Sequence, residues 1–327
     1  MKAVIKMLKV EHVTKKYGTL TAVNDLSFTV EDGEIFGLLG LNGAGKTTTF
    51  RMILGLIDDY QGQITMDCKK IDYNVTDKIG FLTEERSLLT KLTVIEQIKL
   101  YGVLKGMKEE TIEKELDKLL SKFGITEYKT KKIKELSKGN QQKVQFISAI
   151  IHKPKLLILD EPFSGLDPIN VELFKKIILE LQKEGTSIIF SSHRMEHVEL
   201  FCEKLVVLVK GKSVLEGYLK DIKSSYKKKN IIVKGDINKE ELEKEAGVVS
   251  ITKEKDTYQI KIKDDSYVSK IFQKIAKYPN ITAFNVEDAS LNEIFIEKVG
   301  EVYEKSYQTI NRNIYSSFNL RTNSVYF

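Results

Sequence analysis

The stretch Gly40-Leu41-Asn42-Gly43-Ala44-Gly45-Lys46-Thr47 fits the pattern G-x-x-x-x-G-K-[S/T], and the rest of the chain is organised around it. The apolar residues 35–39 before it predict a buried strand, and residues 47–54 behind it predict a helix. Glycines allow backbone N–H groups to approach an anion without a Cβ in the way, and a helix N-terminus adds partial positive charge. The stretch therefore predicts a strand–loop–helix unit that holds phosphate groups.

The side chains of this loop have separate expected roles. We expect the Lys46 ammonium to reach the β- and γ-phosphates of ATP as a catalytic residue, and the Thr47 hydroxyl to bind Mg²⁺. The alternative, a Gly-rich turn with a solvated lysine, does not account for the flanking strand and helix. The loop residues expected to contact the nucleotide are Asn42, Gly43, Ala44, Gly45, Lys46, Thr47 and Thr48.

The composition is typical of a soluble globular protein, with 42% hydrophobic and 30% charged residues among 327. The net charge is +6, but lysines alternate with glutamates, so we expect a solvated surface and no nucleic-acid partner. The two cysteines, Cys68 and Cys202, lack metal-ligand spacing and fit a reducing compartment. No stretch resembles a signal peptide or reaches the about 20 apolar residues of a spanning helix, which favours a cytoplasmic protein.

Predicted strands and helices alternate up to about residue 220. Apolar–polar alternation in residues 8–13 and 23–30 predicts two early strands. A helical, Lys/Glu-rich segment then begins at Thr93, where Glu96 completes a capping-box pattern. Later strands alternate with helices, which predicts a largely parallel sheet. We therefore expect one domain over 1–220, with a helical subdomain over about 84–150.

The composition changes after residue 220. Residues 221–230 are rich in Lys and Ser and are interpreted as a linker, and 231–300 predict a small α+β domain without a catalytic constellation. Residues 301–327 contain no Gly or Pro and show no clear period, so we predict a mobile tail.

A second candidate site element is the apolar run 156–159, which ends at Asp160 and Glu161. Open α/β sheets bind ligands at the carboxyl ends of their strands, so we expect Asp160 to bind Mg²⁺ directly or through water. Glu161 is suited to accept a hydrogen bond from an attacking water as a general base. The alternative role, capping of the next helix, is less favoured beside a phosphate-binding loop.

Three further motifs, in chain order, resemble those of the nucleotide-binding subunits of ATP-binding cassette (ABC) transporters. Leu136-Ser137-Lys138-Gly139-Asn140-Gln141-Gln142 resembles the family signature, usually LSGGQ, and Ser164-Gly165-Leu166-Asp167 matches the D-loop. His193, after two serines, matches the switch histidine. This resemblance covers about residues 8–217. The region that closes with Leu291-Asn292-Glu293-Ile294-Phe295 resembles the small C-terminal domain of one-cassette subunits that pair with ABC-2-type membrane exporters.

The resemblance implies a fold and a set of partners. The fold is an α/β P-loop NTPase core with an antiparallel β subdomain and a helical subdomain, followed by a small α+β domain. The partners are a second copy of the chain and an integral membrane permease of the ABC-2 type. The subunit would then lie on the inner face of the cell membrane and power export by ATP-driven dimer closure.

Site roles follow from the same resemblance. Two copies would pack head to tail, so that Ser137 and Gly139 of one copy donate hydrogen bonds to the γ-phosphate bound by the other. His193 would contact that phosphate while Glu161 polarises water. Tyr17 is either a core aromatic at a strand end or, as the resemblance implies, a platform for adenine.

The chain departs from the family pattern at two places. Glu84 stands where most members have a glutamine, and it could still contact Mg²⁺ or water while adding negative charge. The signature has Lys138 for a glycine and Asn140 for a glutamine, whereas Ser137 and Gly139 are kept.

Two other functions fit parts of the sequence. One is a soluble ABC-type ATPase that acts on ribosomes or DNA, although such proteins usually carry two cassettes or a long coiled coil. The other is an ATP-sensing regulator that hydrolyses poorly because of Lys138 and Glu84. Intact Lys46, Asp160 and Glu161 disfavour this second alternative.

Overall fold

The computed structural model describes residues 6–85 and 87–302, which divide into two units between Glu216 and Gly217. The first unit contains β1 (Lys6–Tyr17), β2 (Leu20–Glu31), β3 (Ile35–Gly40), β4 (Gln61–Met66), β5 (Lys69–Lys70), β6 (Ile79–Leu82), β7 (Leu156–Asp160), β8 (Ser187–Ser191), β9 (Lys204–Val209) and the start of β10 (Lys212–Tyr218). Its helices are α1 (Lys46–Ile53), α2 (Tyr73–Thr76), α3 (Val94–Leu104), α4 (Glu109–Phe123), α5 (Lys138–Ile150), α6 (Pro168–Lys183) and α7 (Met195–Phe201).

The six-stranded sheet of the first unit has the order β10-β9-β3-β8-β7-β6. Strand β3 pairs in parallel with β8 and β9, and β7 pairs in parallel with β6 and β8. Strands β3, β7 and β8 are buried at every position, which explains their continuous apolar sequences. The predicted parallel sheet is confirmed, and it brings the carboxyl ends of β3, β6, β7 and β8 to one edge.

A second sheet, of order β2-β1-β4-β5, is antiparallel. Its first two strands are longer than the alternation predicts, because β1 continues past two register shifts to Tyr17. The stacked rings of Phe28 and Phe36, with centroids 4.9 Å apart, join this sheet to β3. The antiparallel sheet thus packs beside the strand that leads into the phosphate loop.

The helical segment lies between β6 and β7. Helix α3 begins with the predicted capping box, in which Thr93 and Glu96 satisfy each other's backbone N–H groups. The apolar spacing in 109–123 and the following Gly124 predict a helix that ends at Phe123, and α4 ends there, with Gly124 in a left-handed conformation. Rings of Phe123, Phe146 and Phe174 pack together and join α4, α5 and α6.

Helix α5 begins earlier than the sequence predicts. The sequence predicts this helix over 143–151, after the signature, whereas the structure begins it at Lys138. The Ser137 hydroxyl accepts a hydrogen bond from the backbone N–H of Asn140 and caps the helix there. Gly139 therefore lies within the first helical turn rather than before the helix.

The second unit contains α8 (Leu219–Ser225), β11 (Lys229–Lys234), α9 (Lys239–Glu243), β12 (Val248–Glu254), β13 (Thr257–Ile262), α10 (Val268–Ile275), β14 (Ala283–Asp288) and a helix over 291–302. Its antiparallel sheet has the order β12-β13-β11-β14. The sheet and the helices share a core of aliphatic residues and one tyrosine: Ile231, Val233, Ile237, Leu242, Ile251, Tyr258, Ile260, Ile262, Ile271 and Ile275.

The segment interpreted as a linker is ordered secondary structure. Residues 219–225 form α8, in which Ile222 is buried, and β11 starts at Lys229. Lys228 Nζ lies 2.6 Å from Glu297 Oε2, so lysines that suggested a solvated linker have acidic partners within the unit. Of the predicted tail, residues 301 and 302 continue the last helix, and 303–327 lie outside the described residues.

Within residues 6–85 and 87–302, no helix combines the length and the apolar character that a membrane crossing requires.

Candidate ATP site at the carboxyl ends of the parallel strands

The phosphate loop is shaped by close backbone packing. Gly45 has φ 110°, and a Cβ on it would lie 2.5 Å from the Ala22 carbonyl oxygen. The loop carbonyl of Ala44 accepts a hydrogen bond from the N–H of Gly211, at 2.9 Å. The loop is therefore held between β2 and the β9–β10 turn, and a side chain at Gly45 would force it open.

The N-terminus of α1 faces out of this loop. The first helical N–H with an acceptor inside the helix is that of Thr49, which donates to the Gly45 carbonyl at 2.9 Å. The N–H groups of Lys46, Thr47 and Thr48 therefore point away from the helix, as the first turn of any helix requires. We expect these N–H groups and those of Asn42 and Gly43 to cradle the anion, whereas the N–H of Ala44 donates to the Leu41 carbonyl, at 3.0 Å.

Lys46 lies across its own loop. Its Nζ donates to the Gly40 carbonyl at 2.7 Å and to the Leu41 carbonyl at 3.4 Å. Both acceptors are neutral, so an anionic phosphate oxygen is a stronger competing acceptor for the same ammonium.

Asp160 and Glu161 follow β7 at the same sheet edge. Asp160 is buried, and its Oδ1 accepts a hydrogen bond of 2.5 Å from the Ser191 hydroxyl at the end of β8. Burial raises the pKa of Asp160, an effect that the Ser191 hydrogen bond and the charge of Lys46 partly offset. Glu84 raises the pKa of Asp160 further through its negative charge, so Lys46, Glu84 and Asp160 share one site.

Glu161 is strained as well as buried. Its backbone φ is 50°, a left-handed conformation that residues with a Cβ rarely adopt. Its Oε2 lies 2.9 Å from Nδ1 of His193 and accepts a 3.4 Å hydrogen bond from the Ser192 hydroxyl. Burial raises the pKa of Glu161, and the hydrogen bond from His193 offsets part of that rise. A carboxylate with a raised pKa, held by an imidazole, is well suited to take a proton from water.

The signature residues occupy another surface of the unit. Ser137 caps α5, and a Cβ on Gly139 would have Asn170 as its nearest neighbour, at 3.6 Å from Nδ2. Asn170 in turn donates its backbone N–H to Asp167, the last residue of the D-loop motif. The structure thus joins the signature to the D-loop, and it does not bring Ser137 or Gly139 into contact with the phosphate loop of the same chain.

Tyr17 is not a core residue, since 46% of its surface is exposed at the end of β1. The Lys15 ammonium lies 4.8 Å from the centre of its ring. A half-exposed ring at a strand end can stack with a planar ligand on the face that Lys15 does not cover, so adenine stacking stays a prediction.

The oxygen ligands offered here suit Mg²⁺. Thr47 supplies a hydroxyl, and Asp160 and Glu84 supply carboxylates near Lys46. Mg²⁺ prefers such a set, with one or two carboxylates together with phosphates and water. No cluster of three or more His, Cys, Asp or Glu side chains with metal-ligand geometry occurs in the part of the chain that the structure describes, and such a cage is not needed for Mg²⁺ at phosphates.

The sequence did not reveal the residues that support these loops. Ser191 and Ser192 hold the two carboxylates of β7 from a strand 31 residues away in the chain. Gln142 and Gln145, one turn apart on α5, donate to the backbone beyond Glu161 and around Glu84. One hint of this support was present in the sequence, the two serines directly before His193. Because neighbouring parallel strands end at the same edge, serines at the end of β8 can reach carboxylates at the end of β7.

This arrangement of loop, Asp160 and Glu161 defines a P-loop nucleotide-binding ATPase. The ABC transporter family matches residues 23–164, and the DrrA1-3-like C-terminal domain of ATP-binding proteins matches residues 217–299. The chain is 49% identical to the ABC transporter ATP-binding protein YhaQ of Bacillus subtilis over 298 residues, which cover 91% of this chain and all of that protein. The chain therefore belongs to the ATP-binding proteins of ABC transporters.

Two further comparisons agree. The linearmycin resistance ATP-binding protein LnrL of Bacillus subtilis is 35% identical over 66% of this chain and 70% of its own length. A solved ATP-binding subunit of an ABC transporter superimposes with a TM-score of 0.63 at 31% identity, covering 67% of this chain and 93% of that one. The predicted fold class and the predicted ABC-type ATPase are both confirmed. The chain is the ATP-binding subunit of a transporter, and the ribosome- or DNA-directed alternative is not favoured.

Proposed function

We propose that this subunit hydrolyses Mg²⁺-bound ATP in a head-to-tail dimer of two copies and so drives export through a separate ABC-2-type permease. The observation that carries the chemistry is the buried Glu161 carboxylate, held 2.9 Å from His193 at the strand end beside Asp160. The family assignment supplies ATP as substrate. The positions of the residues around the site support the role proposed for each of them in hydrolysis.

In the proposed mechanism, the N–H groups of the loop and the Lys46 ammonium bind the β- and γ-phosphates. Thr47, Asp160 and Glu84 are the residues that would hold Mg²⁺, which neutralises charge on the phosphate oxygens when bound. Glu161 orients a water and accepts its proton as the water oxygen attacks the γ-phosphorus. The bond from that phosphorus to the β–γ bridging oxygen breaks, and ADP and phosphate leave.

His193 has two roles in this proposal. Its Nδ1 holds the Glu161 carboxylate, and its exposed ring (67% of the side chain) is accessible for contact with the γ-phosphate of ATP. Tyr17 stacks on the adenine. The position of Ser137 and Gly139, away from the phosphate loop of their own chain, supports their donation to an ATP bound by a second copy.

Export and the permease are supported by the relatives. One matched relative is named a linearmycin resistance ATP-binding protein, and another is named the ATP-binding protein of a lipopolysaccharide export system. The match of residues 217–299 to a DrrA1-3-like C-terminal domain supports pairing with an ABC-2-type permease. The subunit would then lie at the inner face of the cell membrane through that partner. The remaining alternative, an ATP sensor that hydrolyses poorly, predicts turnover near background.

The proposal is tested with Glu161→Gln. We expect the variant to bind ATP normally but to lose at least about 100-fold in kcat, since it removes the proton acceptor, and to accumulate as an ATP-bound dimer. Steady-state phosphate release and size-exclusion chromatography with ATP measure both outcomes. Glu196→Gln, a change at an exposed carboxylate on α7, is the control and should keep wild-type turnover. Normal hydrolysis by the Glu161→Gln variant would falsify the assignment of the base.

A further inference from the structure

Two glutamines on one side of α5 bind the two loops that carry the site carboxylates. Gln142 Nε2 donates to the Pro162 carbonyl at 2.9 Å, one residue beyond Glu161. Gln145 Nε2 lies 3.2 Å from the Thr83 carbonyl, 3.0 Å from the Thr83 hydroxyl and 3.2 Å from the Glu85 carbonyl. The helix that begins at the signature is therefore hydrogen-bonded to both loops of its own ATP site.

The contact of Gln145 encloses Glu84. The two carbonyls that it binds are those of the residues immediately before and after Glu84. The Thr83 hydroxyl also donates to the Glu85 carbonyl and closes the same turn. The backbone of Glu84 is thus fixed from both sides, although its own side chain is exposed.

Burial makes this contact costly to lose. Gln145 is only 5% exposed, and carbonyl oxygens accept but cannot donate hydrogen bonds. The amide N–H₂ of glutamine meets that requirement, whereas a glutamate would set its oxygens against the carbonyls. An apolar replacement would leave buried acceptors without their donor.

The position of the turn at 83–85 indicates what its contact with Gln145 does. Leu82 at the end of β6 pairs with Leu159 of β7, so the turn at 83–85 stands beside the edge where Asp160 projects. We propose that Gln145 is a positioning residue for ATP hydrolysis, which fixes the Glu84 turn to the signature helix and thereby places the Glu84 carboxylate beside Asp160. This inference rests on the proposed role of Glu84.

The arrangement also connects two ATP sites. In the proposed dimer, the N-terminus of α5 completes the ATP site of the other copy, while Gln145 holds Glu84 in the site of its own copy. A shift of α5 when ATP binds at one site would therefore displace the Glu84 turn at the other.

A double-mutant cycle on the full chain tests the proposal. Gln145→Leu should lower kcat by about 10-fold and raise the Mg²⁺ concentration for half-maximal ATPase, with little change in ATP affinity, because supporting residues of metal sites have effects of this size. In the Glu84→Ala background, Gln145→Leu should cause little further loss, since its effect passes through the side chain at position 84. In the Gln145→Leu variant, the backbone amide hydrogens of residues 83–85 should also exchange faster than in the wild type.

Ser148→Ala is the matched control. Ser148 is buried on the same helix, and its hydroxyl donates only to the Val144 carbonyl within that helix, at 3.0 Å. Its kcat and its exchange at 83–85 should equal those of the wild type. The positioning role would be overturned if the kcat losses of the two single variants multiply in the double variant. It would also be overturned if Ser148→Ala loses as much kcat as Gln145→Leu. Unchanged turnover in Glu84→Ala would overturn both this inference and the role of Glu84, yet leave the Glu161 result standing.

Discussion

The buried Glu161 of the first unit and the partly buried Glu293 of the second have pKa values shifted in opposite directions. In the first unit, burial raises the pKa of Glu161, and the hydrogen bond from His193 compensates only in part. In the second, burial would also raise the pKa of Glu293, but hydrogen bonds from Lys261, Ser290 and Asn230 bring it below the ordinary value. The first unit therefore keeps a carboxylate whose charged form is only partly stabilised, whereas the second unit surrounds its carboxylate with enough hydrogen-bond donors to stabilise the charge fully.

The backbones differ in the same way. In the first unit, Glu161 has a left-handed conformation at a parallel strand end, beside a crowded glycine loop. In the second, the ends of antiparallel strands are joined by surface ion pairs, such as Lys229 Nζ with Asp288 Oδ1 at 2.5 Å. Strain at a strand end persists only when the surrounding structure imposes it, and it tends to occur at functional sites. The left-handed non-glycine residues of the second unit, Lys255 and Asn280, lie in turns rather than at a buried carboxylate, so we expect the chemistry in the first unit.

The largest expected contrast comes from Lys46→Met. ATP affinity should fall by about 100-fold, because charge-assisted hydrogen bonds to phosphate are lost, whereas hydrogen-exchange protection in 217–302 should not change. Binding of a fluorescent ATP analogue and exchange mass spectrometry measure these two quantities. Lys70→Met, at an exposed lysine of β5, serves as the comparison and should bind ATP like the wild type.

The second unit offers the reverse experiment, Glu293→Ala. The change leaves Lys261 and the buried Asn230 without their shared acceptor, so the unit should lose about 1–3 kcal/mol of local stability. Exchange in β11 and β13 should then accelerate while ATPase activity persists. Lys239→Ala removes an exposed pair with Glu243 and should change exchange very little. ATPase loss that parallels the exchange would show that the second unit contributes to catalysis.

The last expected effect concerns acid stability in the first unit, where all four histidines of the chain lie. Burial lowers the pKa of His152 from 6.5 to about 4. The unfolded state then binds the extra proton below pH 6.5, so the free energy of unfolding should decrease as pH falls from 6.5 towards 4, by at most about 1.4 kcal/mol per pH unit. His152→Leu should flatten this part of the pH profile in urea unfolding. If the slope of the free energy of unfolding against pH is unchanged in this variant, groups other than His152 determine the acid dependence of stability.

Much of the first unit was predictable, because its information is local. The loop 40–47, the carboxylates at 160–161 and the helix ending at Phe123 are each written in a few adjacent residues. Strand ends in a parallel sheet share an edge, so even the meeting of β7 with β8 follows from the alternation of elements.

The remaining features depend on partners distant in sequence. The lysines of 221–230 suggested a linker, because nothing nearby indicated that Glu297 and Asp288 would bind them. Gln145 contacts a turn 62 residues earlier, and its amide fits a buried helix face only because that turn presents carbonyls there. The early start of α5 depends on Ser137 acting as its cap, a role in which the hydroxyl accepts a hydrogen bond and keeps its own proton for donation to a phosphate.

The position of Lys46 has a thermodynamic consequence. Because its ammonium is already bound to the Gly40 and Leu41 carbonyls, its side-chain freedom is largely lost before any nucleotide arrives. ATP binding is then an exchange of acceptors around a fixed cation, and its entropy penalty at this residue is correspondingly small. The affinity that Lys46 confers should reflect the difference between phosphate and carbonyl as acceptors, rather than the full strength of an ammonium–phosphate bond.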